Sequence, residues 1–286
     1  MTETTTETEI IDTVDKYAVV GNPITHSKSP QIHMQFAQQT AQLMSYCAIL
    51  SEPEKFKQDL ASFFSSGGKG LNVTVPFKLQ AHAFSDQLSQ SAELAGAVNT
   101  LIKTNNGIIG ENTDGIGLVR DIIHNQGVQL NNKRILLIGA GGASRGVLAP
   151  LLEQEPSLVH VVNRTESKAI ALEKLFSRFG NVQAIGFLSL AEQLPYDLII
   201  NASSAGLAGE APDLSEKMNL TKTFCYDMVY AKTETPFITL VKSLSCENYC
   251  DGLGMLVEQA AESFKLWRGI RPETKDILVQ LRAELS

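Results

Sequence analysis

Nowhere does this sequence run to about 18 consecutive apolar residues, so no helical membrane span is expected. A basic excess is missing too. The 31 acidic residues outnumber the 24 basic ones, leaving a net charge of −7, which argues against a nucleic-acid or anionic-membrane surface. A local basic pocket for a small anion stays open. The N-terminus, TETTTETEIIDTVDK, lacks the positive segment and apolar stretch of a secretory signal. We read residues 1–16 as a solvated, disordered tail. The cysteines, Cys47, Cys225, Cys246 and Cys250, include no CxxC pair, so reduced thiols and a cytoplasmic location are expected rather than a disulfide framework. The histidines have no HExxH spacing, so no metal site is expected.

What is present is alternation. At about 100–200 residues per domain, 286 residues suit two domains. In the first half YAVVG, YCAIL, LNVTV and AVNTLIK read as strands. Helices are expected after Ser29-Pro30 as N-cap and first turn, from Pro53, from Pro76 and near 86–95. A linking helix, ENTDGIGLVRDIIHNQG, ends at Gly127 and marks the boundary around 115–127. The pattern then restarts with RILLIGAGG, LVHVVNR, VQAIG, DLIINAS and FCYDMVY. These near-continuous apolar strands indicate burial on both faces of a parallel sheet. Two final helices are separated at Gly269-Ile270, with Pro272 opening the second.

Several stretches carry chemistry. GAGGASRG (139–146) follows a strand and opens a helix. Gly139 and Gly141 match the first two glycines of GxGxxG, and Ser144 stands where the third would be. Such a turn lets backbone approach a pyrophosphate at a helix N-terminus, though a glycine-rich turn also occurs without a ligand. The next strand ends in Asn163, Arg164 and Thr165, with Lys168 beyond, where an NAD site usually carries a carboxylate. An arginine there suits a 2′-phosphate, hence NADP over NAD, although arginines before helices are common on surfaces. In GNPITHSKSP, Ser29 has a capping role and Ser27 has none. Asn72, Thr74, Lys78, Asn99 and Asp114 are polar groups at or near strand ends, which suits a polyhydroxylated ligand. Singly, Asp114 reads as an N-cap and Lys78 as half of an ion pair. Tyr230 and Gln259 are weaker candidates.

Together GNPITHSKSP, NVTVPFK, AGAVNT, ENTDG, GAGGASRG, NRT, YDMVY…TPF and DGLGMLVEQAAESFKLWRG resemble the shikimate dehydrogenase family, from about residue 17 to the end. The stretch YAKTETPF departs from it, with Ala231 and Thr233 in a loop that is often glycine-containing. The resemblance implies an α/β substrate domain (17–115), a doubly wound Rossmann NADP domain (116–252) and C-terminal helices (253–286) returning to the substrate domain. It implies substrate contacts at Ser27, Ser29, Thr74, Lys78, Asn99, Asp114, Tyr230 and Gln259, with Lys78 and Asp114 catalytic. Cofactor contacts would be Gly139, Ala140, Gly141, Gly142, Ala143, Asn163, Arg164, Thr165, Lys168, Met228, Gly252 and Met255. The implied reaction is reversible reduction of 3-dehydroshikimate by NADPH, in a monomer or homodimer acting on a small molecule. A quinate/shikimate dehydrogenase with looser cofactor choice and a non-catalytic nucleotide-binding regulator are the alternatives.

Overall fold

Among the described residues the apolar runs build two separate sheets of six strands each. The computed structural model describes residues 14–285 except 194, 204, 216 and 217. The first half comprises β1 (Asp15–Gly21), α1 (Ser29–Gln39), β2 (Met44–Leu50), α2 (Phe56–Ser65), β3 (Gly68–Val73), α3 (Lys78–Phe84), β4 (Gln87–Leu88), α4 (Gln90–Ala95), β5 (Thr100–Thr104) and β6 (Gly107–Glu111). Helix α5 (Asp114–Arg120) runs on as a π-helical turn, Asp121–Asn125, and stops at Gly127, whose φ of +70° favours glycine. The second half comprises β7 (Arg134–Ile138), α6 (Gly142–Leu152), β8 (Leu158–Val162), α7 (Glu166–Phe176), β9 (Val182–Ile185), β10 (Leu198–Asn201), β11 (Phe224–Asp227), α8 (Pro236–Ser243), β12 (Asn248–Cys250), α9 (Leu253–Arg268) and α10 (Lys275–Leu285).

The second sheet is parallel throughout, in the order β12-β11-β10-β7-β8-β9. Counted from β7 this is the doubly wound order, with the direction of winding reversing between β7 and β10. The side chains of β7 explain its unbroken apolar run. Ile135 and Leu137 enter the core under α5, α6 and α7, while Leu136 and Ile138 enter the opposite core beneath α8. The first sheet has the order β2-β1-β3-β5-β6-β4. Strands β2, β1 and β3 are parallel, with β1 between the other two.

The first sheet is less parallel than the sequence suggests. β5 runs antiparallel to both β3 and β6. The β5–β6 hairpin turns on two residues, 105 and 106, just before Gly107 at φ +117°. Asn106-Gly107 is the local hairpin signal, and it does not figure among the expected turns. Other boundaries shift by two or three residues. β1 starts at Asp15 within the stretch read as tail, whose residues 1–13 lie outside the described ones. β3 ends at Val73, so Thr74 and Val75 belong to the following loop, and α3 begins at Lys78 rather than Pro76. α2 and α10 each start three residues past the proline expected to open them. The stretch near 86–95 splits into β4 and α4.

Helix α9 joins the two halves. Leu253, Val257, Ala260, Ala261 and Phe264 repeat at helical spacing and pack with Tyr17, Val19, Ile32 and Phe36 of the first half. Met255, on another side of α9, enters the core of the second sheet. Ile277 and Leu281 of α10 join the first of these clusters. Among the described residues no helix is long and apolar enough to cross a membrane.

Under α9 sits a histidine with an unusual environment. His33 is fully buried, stacks flat on Tyr46 at 4.3 Å, and neither of its ring nitrogens has a hydrogen-bond partner. Asn72 lies beside it and pulls weakly the other way, but its amide donates to Thr100 and Ser263. Burial therefore dominates and pushes the imidazole down to about 3. The unfolded chain takes up this proton near pH 6.5 and the folded one does not. The contribution of His33 to stability is thus complete above pH 6.5 and is lost with acidification towards pH 3, at about 1.4 kcal/mol per pH unit. We expect His33→Phe, which keeps the stacking, to flatten this slope between pH 6.5 and 5 in urea titrations. Parallel losses in both proteins would place the acid sensitivity elsewhere.

Candidate active site

In the parallel part of the first sheet, neighbouring strands leave β1 in opposite directions, so a crevice opens beyond the C-terminal ends of β1 and β3. Two loops form its lip, and they are tied together. Asn22 N–H donates to Val75 O at 3.1 Å, and Thr74 N–H to Val20 O at 3.0 Å. A side chain on Gly21 would sit 2.5 Å from Thr74 Cγ2, so the close approach requires glycine. The motif VPFK is explained here. Phe77 is fully buried and stacks on Phe56 at 4.6 Å, which anchors the loop. Lys78 then stands at the first residue of α3, its place set by a packed ring rather than by the proline alone.

The ammonium of Lys78 reaches Asp114 Oδ2 at 2.5 Å. Asp114 is the first residue of α5 but not its cap; its own N–H is taken by the Asn112 side chain at 3.1 Å, which frees the carboxylate to face Lys78. The other oxygen, Oδ1, accepts from Asn99 Nδ2 at 2.9 Å. Asn99 Oδ1 in turn accepts from Thr100 Oγ1 and from Thr113 N–H, both at 2.9 Å. Gln259 Oε1 on α9 accepts from Asn99 at 3.3 Å, and Ser263 Oγ lies 2.8 Å from Thr100 Oγ1. A buried, satisfied network of this kind fixes side-chain geometry in a low-dielectric setting.

The serine loop reverses the expectation. Ser29 lies within α1, whose N-cap position is Lys28, and no side chain of the cap residue bonds there. Ser27 Oγ instead accepts the Ser29 N–H at 3.3 Å. Ser27 therefore does the local capping, because a hydroxyl two residues ahead of the first helical N–H can close an ST-turn.

A cleft of about 360 Å³ gathers these groups. All eight expected substrate contacts line it: Ser27, Ser29, Thr74, Lys78, Asn99, Asp114, Tyr230 and Gln259. Met228, Gly252 and Met255 line it too, from the second half. Burial pushes the Tyr230 phenol up from its ordinary value, while Lys28 nearby pulls it down. His26 and Lys28 also line the cleft and were passed over in the sequence. Their signal was position, since both lie in the same donor-rich loop as the serines. Asn72, Thr113 and Ser263 brace the site from the sheet and α9 side.

The other nine expected cofactor contacts lie apart from this cleft, at the C-terminal ends of β7 and β8. Gly139 has φ +107°, and a side chain on it would meet Ala202 O at 3.0 Å, where the winding reverses. Gly141 and Gly142 differ. A Cβ on either meets nothing within 4 Å, so protein packing does not require these glycines. They leave an open cradle at the N-terminus of α6, where free N–H groups and the helix dipole favour an anion. Asn163 Oδ1 accepts the Ala140 N–H at 3.1 Å and its Nδ2 donates to Thr165 O at 2.9 Å, so it braces the turn. Ala143, Arg164, Thr165 and Lys168 are exposed around the cradle. Glu166, the lone carboxylate of residues 163–168, lies against Gly186.

Three family descriptions match the chain. The shikimate dehydrogenase substrate binding domain matches residues 19–101, shikimate / quinate 5-dehydrogenase residues 121–219, and the shikimate 5'-dehydrogenase C-terminal domain residues 252–282. The shikimate dehydrogenase (NADP(+)) of Hahella chejuensis is 53% identical over 269 residues, covering 94% of this chain and 99% of that protein. That of Alkalilimnicola ehrlichii is 51% identical over 270 residues, with the same coverage of 94% and 99%. Among solved structures, an Ael1 enzyme from Pseudomonas putida superposes with a TM-score of 0.90 at 43% identity, covering 95% of this chain and all (100%) of that one. Shikimate 5-dehydrogenase from Thermus thermophilus, in complex with NADP(H) and shikimate, gives 0.83 at 30% identity, covering 96% and 100%.

Proposed function

This chain belongs to the shikimate dehydrogenase family, and from that premise we propose how its own residues divide the work. The chain is an NADP-dependent oxidoreductase acting on a CH–OH group, a shikimate dehydrogenase that reversibly reduces 3-dehydroshikimate to shikimate. We assign residues 17–115 to substrate binding, 116–252 to the cofactor and 253–286 to the helices that return to the first half. The open glycine cradle at α6 fits the pyrophosphate of NADP, and exposed Arg164, Thr165 and Lys168 would hold its 2′-phosphate. Met228, Gly252 and Met255 would meet the cofactor where the two halves face each other. The bound cofactor supplies the hydride.

The observation that carries the catalytic assignment is the Lys78–Asp114 pair at 2.5 Å inside a cleft that Thr74, Asn99 and Gln259 also line. As the ketone gains a hydride its oxygen becomes anionic. The Lys78 ammonium stabilises that charge and delivers a proton to it. Asp114 orients Lys78 and offers an acceptor to a ring hydroxyl. Asn99, Thr74 and Gln259 bind the remaining hydroxyls. Ser27 and Ser29, with Tyr230 opposite, hold the carboxylate end. Oxidation of shikimate runs the same proton path backwards.

The test is the reduced-nicotinamide absorbance band, followed with shikimate and either NADP or NAD. Turnover with NADP, and much weaker turnover with NAD, is the expected result. No turnover with either would reject the reading, and equal rates would replace its cofactor assignment.

A further inference from the structure

Two lysines and one aspartate line the cleft: Lys28, Lys78 and Asp114. Lys78 and Asp114 close on each other at 2.5 Å and largely cancel. The charge left over belongs to Lys28, which sits between Ser27 and Ser29 and is near enough to Tyr230 to draw its phenol pKa down. Its counter-ion is not part of the cleft. Glu284, on α10, takes the ammonium at 3.0 Å on one carboxylate oxygen. Its other oxygen accepts from Gln31 at 2.6 Å and Gln280 at 3.2 Å, so the carboxylate is held in place by neighbours other than Lys28. An ammonium has three N–H donors, and Glu284 is the one partner that Lys28 shows among the described residues.

We infer that Lys28 is a specificity-determining residue, supplying the net positive charge that selects an anionic substrate, and that Glu284 sets how much of that charge the substrate meets. The inference rests on the proposed function, because it takes the serine end of the cleft as the carboxylate end. The serines alone offer hydroxyl donors, which bind a carboxylate and a neutral ester or amide through similar geometry. A cation between them separates these by charge. Lys28 need not leave Glu284 to do so, since an ammonium has three donors and this contact uses one of them. The pairing also couples the C-terminal helix to substrate affinity. Removing the negative charge of Glu284 leaves the ammonium uncompensated and strengthens its pull on the substrate.

The experiment compares the wild type with Lys28→Met, Lys28→Arg, Glu284→Gln and the Lys28→Met/Glu284→Gln pair. The substrates are shikimate and its uncharged methyl ester, at low and high salt, with thermal melts as a fold control. Lys28 is partly exposed, so the lower end of the range for a charged hydrogen bond applies, and Lys28→Met should raise the shikimate KM about tenfold. The NADP KM and the methyl-ester KM should stay unchanged, so the preference for acid over ester collapses. Lys28→Arg should restore it. Glu284→Gln should lower the shikimate KM, and this gain should vanish in the double variant. The salt dependence of the shikimate KM should weaken without Lys28. If Lys28→Met keeps the wild-type ratio of acid to ester, or if Glu284→Gln acts equally with and without Lys28, the inference falls while the proposed function stands. If the wild type itself fails to oxidise shikimate, both fall together.

Discussion

Lys78→Met is expected to lower kcat about 10²–10³-fold while the shikimate KM moves far less. Lys78 is a third exposed, so its loss leaves no cavity, and thermal melting should show a folded protein. What is lost is the group proposed to meet the developing oxyanion. Such an interaction strengthens as charge forms on the ketone oxygen, so its removal acts on the rate of the chemical step. Methionine keeps the length and apolar stem without the ammonium. Asp114 keeps the Asn99 amide at 2.9 Å, so the rest of the network stays in place. Steady-state kinetics with shikimate and NADP, supported by single-turnover measurements, checks this. A variant within a few-fold of wild type would make Lys78 only the counter-ion of Asp114.

Arg164→Ala is expected to weaken NADP binding about 10–150-fold, the range that follows from about 1.5–3 kcal/mol for a hydrogen bond to a charged group. NAD binding should barely change, since NAD has no 2′-phosphate. Arg164 is exposed just beyond β8, so its guanidinium is open to solvent and, in the proposed site, to the 2′-phosphate. Its neighbours do not oppose this. Asn163 is occupied in bracing Ala140 and Thr165, and Glu166 is turned against Gly186. Lys168, in the first turn of α7, can take up part of the charge, so Arg164→Ala with Lys168→Ala is the cleaner comparison. Titrations of cofactor fluorescence with NADPH and NADH, at two salt concentrations, separate the outcomes. Equal weakening of both would assign Arg164 to shaping the adenosine site rather than reading the phosphate.

Much of this could be read from the sequence. The unbroken apolar strands of the second half specified a parallel sheet, because only burial on both faces tolerates such runs. Gly139, Gly141 and Gly142 after a strand specified the turn, because a side chain at Gly139 has no room. Lys78 behind a proline and a phenylalanine was recognisable as a placed residue. The hairpin at Asn106-Gly107 was also in reach, as a local signal that went unread.

The tertiary structure alone decided the rest. Caps were misjudged at Ser29 and Asp114 because a one- or two-residue shift in helix start changes which side chain meets the first free N–H. Local sequence does not fix that shift when packing of Ile32 or Leu118 sets where the helix docks. The network joining Lys78, Asp114, Asn99, Thr113, Gln259 and Ser263 spans more than 180 positions of chain, and no spacing rule relates the α9 pair to the rest. It exists because α9 packs apolar residues into both halves and so carries Gln259 and Ser263 to Asn99 and Thr100 at the start of β5. The charge at Lys28 is of the same kind. Its lysine is visible in the sequence, but its counter-ion comes from Glu284, 256 residues away, and only the docking of α10 brings the two to 3.0 Å.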